Sequence, residues 1–175
     1  MTGYDVAIES LPACGFLDLR GGEDIRQACG GCLGIELPTI ANTMVNSLTP
    51  ASEEYIASCI SPDHWILQVP SGTQHDVLRS LEHAALGSSH SFVDVSDMYV
   101  RIQLSGRETR EVLSQGISID IHPRVFPPGA TARTGLAKTT IQLRCVDASP
   151  TFIITAYSSY RQYVLDWLSV AAGNS

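Results

Sequence analysis

Hydrophobic and polar positions alternate most strictly between residues 98 and 104. One face of this segment carries Met98, Val100, Ile102 and Leu104, and the other carries Tyr99, Arg101 and Gln103. Successive side chains of a strand point to opposite faces, so the alternation predicts a strand that is buried on one side only. The same period predicts strands around residues 141–145 and 152–156, with a turn at 147–150.

Shorter β-prone runs at residues 15–19, 42–48, 54–60 and 65–69 are separated by turn-forming residues and predict further antiparallel strands. A stripe of apolar residues at helical spacing predicts the first helix, formed by Ile25, Ala28, Cys29, Cys32 and Leu33.

Two further helices are predicted from capping boxes, in which a serine hydroxyl and an acidic or amide side chain satisfy free amide groups. Ser71 with Gln74 precedes one helix, and Ser105 with Glu108 precedes a short one that ends at Gly116. A closing helix places Tyr160, Val164, Trp167 and Leu168 on one side.

Hairpins interrupted by helices predict an α+β fold, an antiparallel sheet with helices packed on one face. We expect residues 1–14 to form an N-terminal extension and residues 15–175 a single domain.

Composition narrows the classes of function. The chain has 175 residues and a net charge of -7, which disfavours nucleic acid and anionic membranes as partners. No signal peptide or membrane-spanning run is recognisable, so a cytoplasmic location is expected. Five cysteines without a secretion signal predict reduced thiols.

The tempting chemical motif is the pair Cys29 and Cys32, whose spacing suits dithiol exchange or half of a zinc site. The pair lies near the end of a predicted helix, where the helix dipole opposes a thiolate, and we favour packing. The five histidines are scattered, and neither a nucleophile elbow nor a nucleotide-binding loop is recognisable. No catalytic, cofactor-binding or metal-binding residue is therefore assigned.

Asp94 and Asp97 suit either a general base or cation site, or capping of backbone amides, which we favour. A set of arginines is expected on a wet face, serving either solubility or docking to acidic groups: Arg101, Arg107, Arg110 and Arg144.

The loop at residues 121–129 combines three prolines with Val125 and Phe126, apolar area that a loop can rarely bury. Such a stiff loop suits a partner interface, and the alternative is a loop folded back over the sheet. The candidate subunit interface consists of Arg101, Arg124, Val125 and Phe126.

Several segments, in this order, resemble the gamma subunit of heterotetrameric sarcosine oxidase. They are LGIELP (33–38), NT (42–43), SPDHW (61–65), VDVSD (93–97), LSG (104–106), EVLSQG (111–116), IDIHPRVFPPG (119–129), TGLAK (134–138) and WL (167–168). Residues 94–116 are also similar to the start of the folate-binding T-protein of glycine cleavage, although no counterpart of its catalytic aspartate region is found.

The resemblance implies a truncated folate-binding-type domain without an active site of its own. In that family the alpha and beta subunits hold FAD, FMN, NAD and the tetrahydrofolate site, and the delta subunit holds zinc. The complex demethylates sarcosine to glycine, yielding hydrogen peroxide and methylenetetrahydrofolate or formaldehyde. The implied partners are therefore the alpha, beta and delta subunits, with the large folate-binding alpha subunit as the main contact.

Three alternatives stay open from the sequence. The first is the corresponding subunit of a related complex such as N-methylglutamate dehydrogenase. The second is a free-standing folate-binding protein, and the third is a thiol or zinc protein centred on Cys29 and Cys32.

Overall fold

The computed structural model describes residues 3–48 and 54–173. The strands are β1 (Ala7–Ser10), β2 (Gly15–Gly21), β3 (Met44–Leu48), β4 (Glu54–Ser61), β5 (His64–Val69), β6 (His90–Asp94), β7 (Tyr99–Ser105), β8 (Thr131–Leu136), β9 (Thr139–Asp147) and β10 (Thr151–Tyr157). The α-helices are α1 (Glu23–Leu33), α2 (Gln74–Ala84), α3 (Thr109–Ser114) and α4 (Arg161–Ala171).

The chain divides into two compact units. Residues 13–96 form one, here called the inserted unit, and residues 1–12 together with 97–175 form the other, here called the split unit. Each unit contains one five-stranded sheet, and every strand pair is antiparallel. The predicted α+β class with antiparallel pairing and packed helices is confirmed.

In the inserted unit the strand order is β3-β4-β5-β2-β6. One face of this sheet, including Leu17, Leu19 and Trp65, packs with the apolar stripes of α1 and α2 in a single core. The Trp65 indole is fully buried and donates its N–H to the carbonyl oxygen of Pro38 at 2.7 Å, so its one polar atom is satisfied. The predicted helical stripe is confirmed at Ile25, which is buried in α1.

In the split unit the order is β1-β7-β10-β9-β8. Ile102, Ile154 and Leu143 are register partners on three adjacent central strands, and all three are buried. Val164 and Leu168 of α4 belong to the same core, as the apolar stripe of the closing helix predicts. A buried side chain of this size contributes about 1.5–3 kcal/mol, so the two-residue period of β7 has a direct energetic cause.

Both predicted capping boxes are wrong, although both helices exist. The cap of α2 is Thr73, whose hydroxyl donates to the carbonyl oxygen of Pro70 at 2.9 Å, and Ser71 precedes the cap. The cap of α3 is Glu108, whose carboxylate accepts the Asp5 amide at 2.6 Å and is thus engaged elsewhere.

Three strands have no counterpart in the sequence predictions: β1, β6 and β8. Residues 7–10, inside the predicted extension, form β1 and pair with β7. The division into an extension and one domain over residues 15–175 stays a prediction.

Candidate functional site

The proline-containing loop between α3 and β8 folds back onto the sheet of the split unit. Phe126 is 5% exposed, and its ring stacks on Phe152 of β10 with centroids 6.3 Å apart. The expectation that the loop leaves Phe126 unburied is therefore wrong, and the alternative of a loop folded back over the sheet is observed. The physical reason is that the loop returns to the core face, where Ile121 is also buried.

Arg110 holds this loop in place through hydrogen bonds to its backbone. It lies in α3, and its guanidinium donates to the carbonyl oxygens of Ile121 and Phe126, the second at 3.3 Å. The same group lies over the Phe152 ring, 4.8 Å from the ring centre, and 3.6 Å from Sγ of Cys145. The expectation that Arg110 lies on a wet face, whether for solubility or for docking, is wrong, since its charge faces two carbonyl oxygens and an aromatic ring.

What the loop presents outward is Val125, which is 61% exposed, with the exposed Arg124 beside it. The amides of Val125 and Phe126 both donate to the carbonyl oxygen of His122, at 2.9 and 2.8 Å. Asp120 accepts the His122 amide at 2.8 Å. A short, internally bonded loop thus holds an exposed aliphatic side chain in a defined position.

Arg101, the remaining candidate, lies on β7 and is half-buried. Its guanidinium donates to the carbonyl oxygen of Pro12 at 2.8 Å, and its Nε is buried without a partner among the described residues. Arg101 thus ties the segment after β1 to the sheet. The structure therefore places Arg124, Val125 and Phe126 in one loop and Arg101 on β7. The interface role of these four residues stays a prediction.

The cysteine pair lies in the second half of α1, as expected. Cys29 is fully buried, and burial raises the pKa of its thiol to about 12, with Cys32 adding a smaller effect. Cys32 is exposed, yet partial burial still raises the pKa of its thiol. A raised pKa disfavours the thiolate that dithiol exchange and zinc binding both need. Within residues 3–48 and 54–173, no group of three or more His, Cys, Asp or Glu side chains could hold a metal ion.

Two histidines contact carboxylates and connect neighbouring elements. His64 Nε2 on β5 lies 2.9 Å from Asp18 on β2, whose other carboxylate oxygen accepts the Arg20 guanidinium at 3.0 Å. His90 Nε2 on β6 lies 2.8 Å from Glu82 on α2. The first contact joins two paired strands, and the second joins a strand to a helix, both within the inserted unit.

Asp94 caps a turn. Its carboxylate accepts the amide of Ser96 at 2.9 Å, and the Ser96 hydroxyl accepts the Phe16 amide at 3.0 Å. This arrangement confirms the capping interpretation for Asp94.

Sequence reasoning placed Arg110 wrongly, as it did Phe126. One signal was available in the sequence. A loop that packs on the core must pair its buried carbonyl oxygens with donors, and Arg110 lies 11 and 16 residues before Ile121 and Phe126.

No helix in the described part of the chain is long and apolar enough to cross a membrane.

The fold of this chain is similar to that of two solved structures of different proteins. It superposes on a chain of heterotetrameric sarcosine oxidase from Corynebacterium sp. U-96 with a TM-score of 0.84 and 20% identity, covering 97% of this chain and 86% of that one. It superposes on glycine cleavage system aminomethyltransferase T from Bartonella henselae with a TM-score of 0.69 and 11% identity, covering 96% of this chain but 46% of that one.

These likenesses define an α+β protein that shares its fold with a sarcosine oxidase chain and with about half of the T-protein. The sequence pattern of the sarcosine oxidase gamma subunit family matches residues 23–174, and the chain belongs to that family. Comparison with curated protein sequences gives no match.

Proposed function

We propose that this chain is the non-catalytic gamma subunit of a heterotetrameric, sarcosine oxidase-type complex. The complex oxidatively demethylates sarcosine to glycine in the cytoplasm, with hydrogen peroxide and methylenetetrahydrofolate or formaldehyde as the other products. FAD, FMN, NAD, tetrahydrofolate and zinc belong to the alpha, beta and delta subunits. The observation that carries the proposal is the family match over residues 23–174.

The contacts of the chain's own reactive side chains support a role outside catalysis. His64 and His90 each engage a carboxylate, Asp94 caps a turn, and Cys29 is buried with a raised thiol pKa. Each of these groups therefore has a structural use in the fold.

The loop at residues 121–129 supports a role in assembly. Arg110 and the internal hydrogen bonds order the loop in the isolated chain, and they leave the Val125 side chain exposed to solvent. A preordered loop loses little conformational entropy on binding, which favours the use of Val125 and Arg124 as contacts to the large alpha subunit.

The experiment is co-expression of this chain with the other three subunits of its complex. Val125→Asp and Arg124→Glu should lower the yield of assembled complex, because each places a carboxylate at the proposed contact. Val170→Asp is the matched control, since Val170 is 70% exposed on α4.

Two results would count against the proposal. Stoichiometric flavin or folate on the purified chain alone would show that it holds an active site. Failure of the unaltered chain to join the other subunits would show that it is not one of them.

A further inference from the structure

His90, at the start of the edge strand β6, has a hydrogen-bond acceptor at each of its ring nitrogens. Nε2 lies 2.8 Å from the Glu82 carboxylate on α2, and Nδ1 lies 2.9 Å from the carbonyl oxygen of Ser88. A neutral imidazole has one N–H donor, whereas an imidazolium has two. Both contacts are therefore hydrogen bonds at the same time only when His90 carries a positive charge.

The His90 ring is confined between these two acceptors. Its side chain is 16% exposed, and the ring stacks on that of Phe92 with centroids 4.5 Å apart. Phe92 in turn packs against the core of the inserted unit. Loss of the second proton must therefore change one of the two contacts.

Ser88 links the His90 ring to the helix α1. It lies in the turn between α2 and β6, where its amide donates to the carbonyl oxygen of Ala85 at 2.9 Å. The Ser88 hydroxyl donates to the Asp24 carboxylate of α1 at 3.1 Å. Asp24, Ala84 and Ser88 also line a groove between α1 and α2, so a movement of Ser88 alters one wall of that groove.

The charged and titratable groups on the elements around His90 are Glu82 and His83 of α2, Glu23 and Asp24 of α1, and Arg20 of β2. Glu82 contacts the ring directly, and Asp24 reaches it only through Ser88. Arg20 lies opposite residue 91, the neighbour of His90, and so projects from the other face of the sheet. Glu23 is paired with Arg26, and His83 is exposed.

We infer that His90 is a pH-sensitive switch, in which the protonated ring holds the turn at Ser88 and the neutral ring releases it. Hydrogen bonds to a charged group are roughly twice as strong as those between neutral groups. The neutral ring therefore keeps its proton on Nε2, facing Glu82, and turns the lone pair of Nδ1 towards the Ser88 carbonyl oxygen. Two lone pairs repel, so Ser88 moves away and its contact with Asp24 weakens.

The direction of the switch follows from the contacts of the folded chain. The hydrogen bond to Glu82, followed by that to Ser88, raises the pKa of His90, while burial opposes the rise. The turn is therefore held at low pH and released as the pH rises through the pKa of His90 in the folded chain. This inference rests on contacts within the inserted unit and is independent of the proposed function.

The test is nuclear magnetic resonance of the full chain with isotope-labelled histidine, from about pH 5.5 to about pH 8.5. Both ring nitrogens of His90 should be protonated at the lower end, and only Nε2 at the upper end. Relative to its intrinsic rate, the Ser88 amide proton should exchange about 2- to 10-fold faster once the ring is neutral, the effect of losing one hydrogen bond. The Val77 amide, which donates to Thr73 at the other end of α2, should keep its protection.

Three variants separate the switch from a general effect of pH. Glu82→Gln keeps an acceptor but removes the charge, so the titration of His90 and the change in Ser88 exchange should move together to lower pH. His83→Gln removes an exposed histidine of the same helix and should leave both where they are. His90→Gln should make the protection of Ser88 independent of pH, and circular dichroism melts verify that each variant folds.

Two results would overturn the switch. One is a neutral His90 ring that carries its proton on Nδ1. The other is a Ser88 amide whose protection stays the same while the ring titrates. Neither result bears on the subunit role, which co-expression with the other subunits tests.

Discussion

The guanidinium of Arg110 lies over the ring of Phe152, 4.8 Å from its centre, in the core of the split unit. The same ring stacks on Phe126, so one aromatic side chain of β10 contacts both the cation that holds the loop and the loop's own anchor. The loop at residues 121–129 thereby contributes Phe126 to the core and exposes Val125 at the surface.

Arg110→Met should destabilise the fold by about 3 kcal/mol, because two carbonyl oxygens lose a charged donor and the ring loses its cation. Arg110→Lys should cost less, since an ammonium group keeps the charge but cannot span both carbonyl oxygens as a planar fork does. Urea unfolding measures both. Arg107→Met, at an exposed ion pair with Asp5, serves as the control and should change stability by less than about 1 kcal/mol.

Phe126→Ala should destabilise the chain by about 3–5 kcal/mol, as expected for a buried phenylalanine truncated in a core. The measurement is the free energy of unfolding of the isolated chain. Val125→Ala, one residue earlier but exposed, should have little effect on the same quantity. Equal, small effects of the two substitutions would contradict the placement of Phe126 inside the core.

The contact between His90 and Glu82 should make stability depend on pH. The hydrogen bond to Glu82, followed by that to the Ser88 carbonyl oxygen, raises the pKa of His90. A histidine with a raised pKa in the folded state stabilises the fold fully below its unfolded pKa, and this contribution is lost as the pH rises through the folded pKa.

Unfolding free energies of the unaltered chain and Glu82→Gln should therefore converge as the pH rises from about 6 towards about 8. His83→Gln, an exposed histidine on the same helix, should leave the pH profile as it is. A difference between the unaltered chain and Glu82→Gln that stays constant over this range would show that His90 does not carry the effect.

The cysteines should differ in their reaction with iodoacetamide. In the folded chain Cys32 should react well before Cys29, because Cys29 is fully buried and the pKa of its thiol is about 12. Mapping the modified peptides by mass spectrometry measures both rates. All five cysteines should react in denaturant, and equal rates for the pair in the folded chain would contradict the burial of Cys29.

The parts of the fold that the sequence predicted share one cause, a face buried against a single core. The alternation over residues 98–104 and the stripe around Ile25 both reflect such faces. By contrast, β8 is read from the sequence as Thr-Ala-Arg-Thr-Gly-Leu, with no clear alternation, and exists because β9 pairs with it.

The candidate site was harder to predict, because its contacts do not recur at a regular spacing in the sequence. From the sequence an arginine is expected at the surface, whereas the Arg110 guanidinium donates hydrogen bonds to two carbonyl oxygens that lie 11 and 16 residues further along the chain. Phe126 follows the same logic, since only the folded loop shows which of two adjacent apolar residues is buried.

The central claim, that this chain is a subunit of a sarcosine oxidase-type complex, is tested most directly by native mass spectrometry of the chain purified from its source under mild conditions. The account predicts one copy of the chain in an assembly with three different partner chains. A mass corresponding to the chain alone, or to copies of itself only, would contradict the claim.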